Sequence, residues 1–303
     1  MPSTYQRMNL GRYAVIPIWY ACNNDCTICM LSQVKGQLPN VDFPAFRGLV
    51  NALVTDGGYD GLILSGAEIT TCDHLEHYVR YAASFGYFKK IQIQTNGRKL
   101  ADQRFLHRLI AAGVNEFFIS VHGPEEVHDA ITRRPGSYRE TMAGIANLGA
   151  CDVNVVSNTV LTALNYHHIV PLVSDLCAAP VSELNIWNLF PMESRDSRNL
   201  LVSLADLADL VALVPEIMAA GETAGKPVVF KAFPECLASG PPCFFDNSFP
   251  LNLIHDRFWC EFAANGFGTC VYKDVCGARD CWGLSSAYIA RFGDERDRLT
   301  PFQ

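Results

Sequence analysis

Trp19-Tyr-Ala-Cys22-Asn-Asn-Asp-Cys26-Thr-Ile-Cys29-Met30 carries three cysteines at spacings of four and three. Three thiolates this close in one short loop converge on a single small object, and soft sulfur ligands select soft metals, chiefly zinc or iron–sulfur clusters. A structural zinc site wants a fourth ligand close by. The next downstream candidates, Cys72 and His74, stand far along the chain. Three protein ligands on a four-iron cube leave one iron open, and an open iron is where a small molecule binds and is reduced.

Working outward, the loop sits at the end of an apolar, β-branched and aromatic run at 13–19, a first strand. Pro17 lacks an N–H, so pairing should weaken there. Helix signals follow over 43–57, 73–85, 102–112, 124–148 (broken at Gly136-Ser137), 167–178 and 203–220. Short strand-like runs lie between them at 61–65, 90–94, 116–121, 153–161 and 183–188. Pro215 sits inside the last of those helical patterns. Six alternations of strand and helix mean a parallel sheet with helical crossovers, either doubly wound or a barrel. In either form a ligand sits at the C-terminal ends of the strands.

Several polar motifs fall at those ends. Ser65-Gly66-Ala67-Glu68 closes the second strand, Thr95-Asn96-Gly97 the third and Ser120-Val121-His122-Gly123 the fourth. Asn158 lies on the fifth, and Asn185, Trp187 and Asn188 on the sixth, followed by Phe190-Pro-Met192. Alternation puts Asn185 and Trp187 on one face of their strand without saying which face is inward; for Trp187, core packing is the expected role.

The cysteine spacing, with apolar Ile28 before the last sulfur, resembles the signature of the radical S-adenosylmethionine (SAM) superfamily. The resemblance implies a partial (β/α)6 TIM barrel over residues 13–222. It also implies a [4Fe-4S] cluster on Cys22, Cys26 and Cys29, whose open iron binds the SAM amino and carboxylate groups. One electron then cleaves SAM to methionine and a 5′-deoxyadenosyl radical, which abstracts hydrogen from a substrate. Residue by residue, Ile28 would pack by adenine, and Gly66 and Glu68 would hold the SAM amino group. Asn96, Ser120 and Asn158 would complete the SAM site. Arg133 or Arg134, in a stretch similar to the family's His-Asp…Arg…Pro-Gly-Ser run, would pair with the SAM carboxylate. His122, where relatives often carry Asp, is the candidate catalytic acid or base; a buried structural histidine is the competing reading. The departures are Ala67 in place of a second glycine and Ile69 in place of proline.

After Gly221 the alternation is expected to stop. Residues 223–303 form a loop-rich extension holding Cys236, Cys243, Cys260, Cys270, Cys276 and Cys281. Loop-rich sequence gains order from a metal. The run resembles the auxiliary-cluster tail of many radical SAM enzymes, without the seven-cysteine SPASM spacing. The resemblance implies a second [4Fe-4S] cluster on Cys270, Cys276 and Cys281, with Cys236 as fourth ligand and Cys243 and Cys260 as competitors. A zinc site or reduced thiols are the alternatives. Cys72, Cys151 and Cys177 read as packed thiols.

Composition bounds the rest. The 303-residue chain is 49% hydrophobic and 18% charged, enough to bury a sizeable core. A net charge of −7 with no basic run gives no nucleic-acid footprint. There is no long apolar run for a membrane span and no apolar signal region, so the expected location is cytoplasmic. Twelve cysteines there point to metal or redox sites rather than a disulfide framework. The expected partners are a flavodoxin- or ferredoxin-type electron donor and a small-molecule substrate, with a ribosomal peptide as the alternative. A non-catalytic iron–sulfur carrier and a zinc-stabilised binding protein are the readings from other classes.

Overall fold

The computed structural model describes residues 7–34, 36–237, 245–264, 269–278 and 281–302. Eight parallel strands form one open, curled sheet, a partial TIM barrel of α/β class. In chain order they are β1 (Tyr13–Trp19), β2 (Gly61–Gly66), β3 (Lys90–Thr95), β4 (Glu116–Ser120), β5 (Asn154–Leu161), β6 (Glu183–Asn188), β7 (Val228–Lys231) and β8 (Leu251–Asn252). The spatial order is β7-β6-β5-β4-β3-β2-β1-β8. The helices are α1 (Phe43–Asp56), α2 (Leu75–Ala83), α3 (Gln103–Ala112), α4 (Glu125–Thr132), α5 (Ser137–Leu148), α6 (Ile169–Ala178), α7 (Leu204–Ala212), α8 (Val214–Thr223), α9 (Asp256–Ala264) and α10 (Ser286–Phe292).

Local chemistry sets the element ends. Asp42 caps α1 by accepting from the Ala45 N–H, and Gly57 ends the helix in a left-handed turn. Asp102 and Gly113 do the same work for α3. Pro17 pairs opposite Ser65, and the β1–β2 register slips directly after it. On its other side β8 reaches only Ala14 and Val15, so the missing N–H lies beyond that ladder.

Two expectations from the sequence are corrected. Alternation does not stop at Gly221: β7 joins β6 in parallel and β8 joins the free side of β1, so residues 223–303 supply both outer strands. The 203–220 helix is two helices, because Pro215 opens α8 and cannot continue the α7 hydrogen-bond ladder.

Strand alternation sorts the side chains into two layers. Ile16, Leu62, Leu64, Ile93, Phe117 and Ile119 pack outward against the helices in one large core. Gln92, Gln94, Glu116, Phe118, Asn185 and Trp187 face the barrel interior, which settles the inward face of β6. Glu116 there is paired across strands: it accepts from the Tyr13 hydroxyl (2.8 Å), Gln92 Nε2 (2.8 Å) and Lys90 Nζ (2.9 Å). The sheet thus spends its outward face on stability and leaves its inward face for chemistry.

Candidate active site

The cysteine loop leaves β1 and is tied down from three directions. Trp19 O accepts from Ala67 N–H (2.8 Å) and Ala21 O from Glu68 N–H (3.0 Å), so the end of β2 extends the ladder into the loop. Gly66, at φ 150°, permits this: a Cβ there would sit 1.9 Å from Trp19 O. The carbonyls of Thr132 and Ile131, at the end of α4, accept from the Asp25 and Thr27 N–H groups at 3.2 and 2.8 Å. Arg98 makes the third tie. Its Nη1 donates to Asn23 O and Asn24 Oδ1, both at 2.7 Å, while Nε pairs with Glu140 on α5 at 2.5 Å. A guanidinium suits this because its fixed fork meets three acceptors at once.

Cys22, Cys26 and Cys29 line one cleft with about 920 Å³ of empty space at the C-terminal ends of the strands. Ile28, Gly66, Asn96, Ser120, His122 and Asn158 line it too. Burial first, then the negative charge of Cys29 and Cys22, pushes the Cys26 thiol up to about 12. Three thiols so close do not all ionise without a counter-charge, and a bound cation would reverse that balance. Among the described residues no three His, Cys, Asp or Glu side chains are grouped to hold a single metal ion. A cluster asks for something else, since each sulfur binds a different iron.

The cleft also holds buried polar atoms with no protein partner: Asn24 Nδ2, His128 Nε2 and Asn158 Oδ1. Leaving such atoms unpaired costs roughly 1–3 kcal/mol each, so they point to a polar ligand offering both acceptors and donors. SAM does, through its carboxylate and its ribose hydroxyls. The three sulfurs and these orphaned groups therefore fit a cluster with SAM beside it.

The remaining expected residues fall elsewhere or act indirectly. Glu68 is buried and accepts from Thr70 N–H (3.0 Å), Thr70 Oγ1 (2.5 Å), Thr95 Oγ1 (2.6 Å) and Asn96 N–H (2.6 Å). Its carboxylate staples the ends of β2 and β3 together and does not line the cleft. Arg133 is exposed at the end of α4, 3.1 Å from Asp25 of the cysteine loop. Arg134 is exposed and outside the cleft lining. Asn96 Nδ2 donates to Asn23 Oδ1 at 2.6 Å.

His122 is buried. Its Nδ1 accepts from the Val160 N–H (3.3 Å), and its own N–H donates to His128 Nδ1 (3.1 Å). An accepting Nδ1 puts the ring proton of each neutral imidazole on Nε2. Burial, then proximity to His128, drives His122 down to about 3; burial likewise drives His128 to about 4. Both rings are neutral near pH 7, suited to donating a hydrogen bond rather than shuttling a proton.

Two further cavities adjoin the loop. One, of about 390 Å³, runs between Ile28, Cys29 and the Phe190-Pro191-Met192 turn after β6. The other, about 1390 Å³, is lined by seven aromatic side chains among others and shares Cys29, Gly66, Ala67 and Gln94 with the cleft. Trp187 belongs to it, and its Nε1 is buried without a partner, so core packing does not describe that residue.

In the C-terminal region Cys236, Cys270, Cys276 and Cys281 line a separate cavity of about 340 Å³, enclosed by Tyr272, Leu284, Leu299 and Pro301. Burial raises the Cys236 and Cys281 thiols, with neighbouring cysteines adding to it. Cys260 is exposed on α9 and is not part of this lining. Cys243 lies outside the described residues.

The sequence reading missed Arg98, Asn24 and His128. Asn24 sits between two of the cysteines, which was a usable signal. Arg98 had none, because a loop arginine reads as solvated.

A parallel half-barrel with three cysteines at its catalytic mouth defines the class. The radical SAM superfamily profile matches residues 16–176, over half of the 303-residue chain, and the chain belongs to that superfamily. It is an enzyme of that family, whose members carry a [4Fe-4S] cluster and use SAM. SuiB of Streptococcus suis, bound to its precursor peptide SuiA, has a similar structure: TM-score 0.59 and 15% identity over 72% of this chain and 48% of that one. So does anSMEcpe with bound AdoMet, at TM-score 0.60 and 15% identity over 72% and 63%. The chain thus spans about half to under two thirds of those proteins. At that identity the likeness is one of fold. No curated protein matches in sequence. No helix among the described residues is long and apolar enough to cross a membrane.

Proposed function

We propose that Cys22, Cys26 and Cys29 hold a four-iron cluster, that SAM lies in the adjoining cleft, and that the aromatic pocket beyond Cys29 takes the substrate. When bound, the cluster supplies the electron that cleaves SAM into methionine and a 5′-deoxyadenosyl radical able to take hydrogen from a substrate. The protein's own part is to position, and to exclude water. His128 Nε2–H and Asn24 Nδ2 donate to the SAM carboxylate, and Asn158 Oδ1 accepts from a ribose hydroxyl. Ser120 and His122 add donors along the same wall. Ile28 and the turn at 190–192 flank adenine. The SAM amino group meets the Gly66–Ala67 backbone, and Glu68 acts through Thr95 and Asn96. Arg133 acts through Asp25, on the loop itself.

The observation that carries this reading is the shared wall. Cys29, Gly66 and Ala67 border both the polar cleft and the aromatic pocket, so a radical formed on one side is within reach of a molecule on the other. Oxidation, rearrangement or bond formation on a small biosynthetic molecule fits this arrangement. Modification of a peptide is the second reading, favoured by the peptides seen with SuiB and anSMEcpe. A flavodoxin or ferredoxin is the proposed electron source. The four-sulfur cavity of the tail fits an auxiliary [4Fe-4S] cluster; Cys281 lines it while the next residue, Trp282, lines the aromatic pocket.

The test is anaerobic reconstitution followed by dithionite and SAM, reading 5′-deoxyadenosine. Iron uptake at the N-terminal loop with no SAM cleavage under any reductant would return the protein to the electron-carrier class.

A further inference from the structure

The pocket beyond Cys29 has a chemical character sharper than that of the reaction. Trp187, Phe190, Phe249, Phe258, Phe262 and Trp282 form an aromatic side of its wall. They interlock: Trp282 lies 4.2 Å from Phe249 and 4.8 Å from Phe190 between ring centroids, and Trp187 meets Phe249 edge-on at 5.7 Å. Met30, Leu31 and Ile254 add aliphatic surface, and α9 covers one side, with Phe258 buried in a small cluster with Tyr20, Val34, Leu38 and Met192.

No charged side chain lines this pocket among the described residues. The nearby cation, Lys231, is fully buried behind the wall. Its ammonium donates to Asp246 O (2.7 Å) and Ser248 O (3.1 Å), lies 3.4 Å from the Asp246 carboxylate, and sits 5.4 Å from the Trp187 ring centroid. Asp246 and Ser248 occupy its donors, so it does not serve a bound anion in the pocket. The polar side chains of the lining are Ser65, Gln94 and Asn252, and the Trp187 Nε1–H is its buried donor without a partner.

We infer that the substrate presents to this pocket an uncharged, largely aromatic or aliphatic group bearing a hydrogen-bond acceptor, such as a carbonyl or ether oxygen, for Trp187. The inference rests on the SAM reading of the neighbouring cleft for calling the occupant a substrate, though not for its chemistry. Burying an ionised carboxylate here would leave it unpaired, at a large cost. Burying an apolar body gains roughly 25 cal/mol for each Å² removed from water. The group belongs either to a free molecule or to a side chain in a peptide, and the two sources are separable.

Three of the four tryptophans, Trp187, Trp259 and Trp282, line the pocket, so tryptophan emission and calorimetry on the full-length, cluster-loaded protein report its occupancy without turnover. The probes are 4-phenylbutan-2-one, its charged counterpart 4-phenylbutanoate, and butylbenzene, which lacks an acceptor. A blocked Gly-Gly-Phe-Gly-Gly peptide is the fourth.

The ketone is expected to bind at least about tenfold more tightly than the carboxylate. Phe262→Glu, at a half-buried position, should weaken ketone binding by a similar factor. Trp187→Phe should weaken the ketone about fivefold and leave butylbenzene within about twofold, the loss of one hydrogen bond. Peptide binding tighter than the ketone assigns the group to a peptide, and the reverse assigns it to a free molecule. The inference is overturned if the carboxylate binds as well as the ketone, if no neutral probe binds the folded protein, or if Phe262→Glu changes nothing. Wild-type 5′-deoxyadenosine formation, measured separately, reports on the SAM reading alone.

Discussion

Sulfur is gathered in two places in this chain, and they are built in opposite ways. Cys22, Cys26 and Cys29 come from one short loop with little core of its own, braced from outside by β2, by the end of α4 and by Arg98. Their cleft is open and keeps unpaired polar atoms along its wall. Cys236, Cys270, Cys276 and Cys281 come from a long, loop-rich stretch and close a small apolar cavity with four sulfurs. A three-sulfur site on a rigid support keeps an iron free for a ligand. A four-sulfur site in loop-rich sequence would satisfy its iron completely and would help to order the chain. On the proposed reading one place is made to react and the other to hold or pass an electron.

The sharpest way to break that contrast is substitution of Cys22, Cys26 and Cys29 together by alanine. SAM cleavage should vanish, and iron should fall by about four per chain with the tail's share retained. Equal iron and sulfide counts in variant and wild type would refute the assignment. Next in size is Arg98→Met, which removes the external brace but no ligand. Charge-assisted bonds contribute roughly 1.5–3 kcal/mol, so SAM affinity should drop about tenfold, with slower cluster reconstitution. Unchanged SAM binding by calorimetry would show that the loop holds its shape unaided.

Substituting Cys236, Cys270, Cys276 and Cys281 should act on stability more than on cleavage. A melting temperature roughly 5–10 °C lower is expected, with substrate-free 5′-deoxyadenosine formation largely kept. If the melting point does not move, the tail orders without metal.

The smallest effect concerns pH. His122 and His128 are held below their ordinary value of 6.5, at about 3 and about 4. The unfolded chain therefore binds protons that the folded one refuses. Their contribution is complete above about pH 6.5 and is lost as pH falls toward about 4 for His128 and about 3 for His122. Denaturant melts of His128→Gln should show a shallower decline over that window. A decline as steep as wild type would mean that other groups set the acid limb.

Much of this was legible in the sequence, for identifiable reasons. β1 to β6 announce themselves as apolar runs between helix patterns, and the mouth motifs follow from their ends. β7 escaped because Val228-Val-Phe-Lys231 is brief and ends on a lysine, a residue that rarely lies fully buried. β8, two residues long, carries no pattern at all. The family resemblance pointed to Cys270, Cys276 and Cys281, with Cys236 as fourth and Cys243 and Cys260 as competitors; Cys236, Cys270, Cys276 and Cys281 line one cavity. The aromatic pocket was invisible because its wall is drawn from β6, the turn after it, the stretch around Phe249, α9 and Trp282. No periodicity links such distant pieces. At Glu68 the motif names a residue type and a place, but not the four donors that meet its carboxylate.

The two late strands have a practical consequence. β7 and β8 sit at opposite margins of the sheet, so a chain cut after residue 222 would expose β6 on one side and β1 on the other. Bare strand margins recruit other chains, and such a truncation is expected to precipitate whatever its cysteines do. Residues 223–303 serve as bookends to the catalytic half, so any part their cysteines play in electron transfer must be tested one side chain at a time.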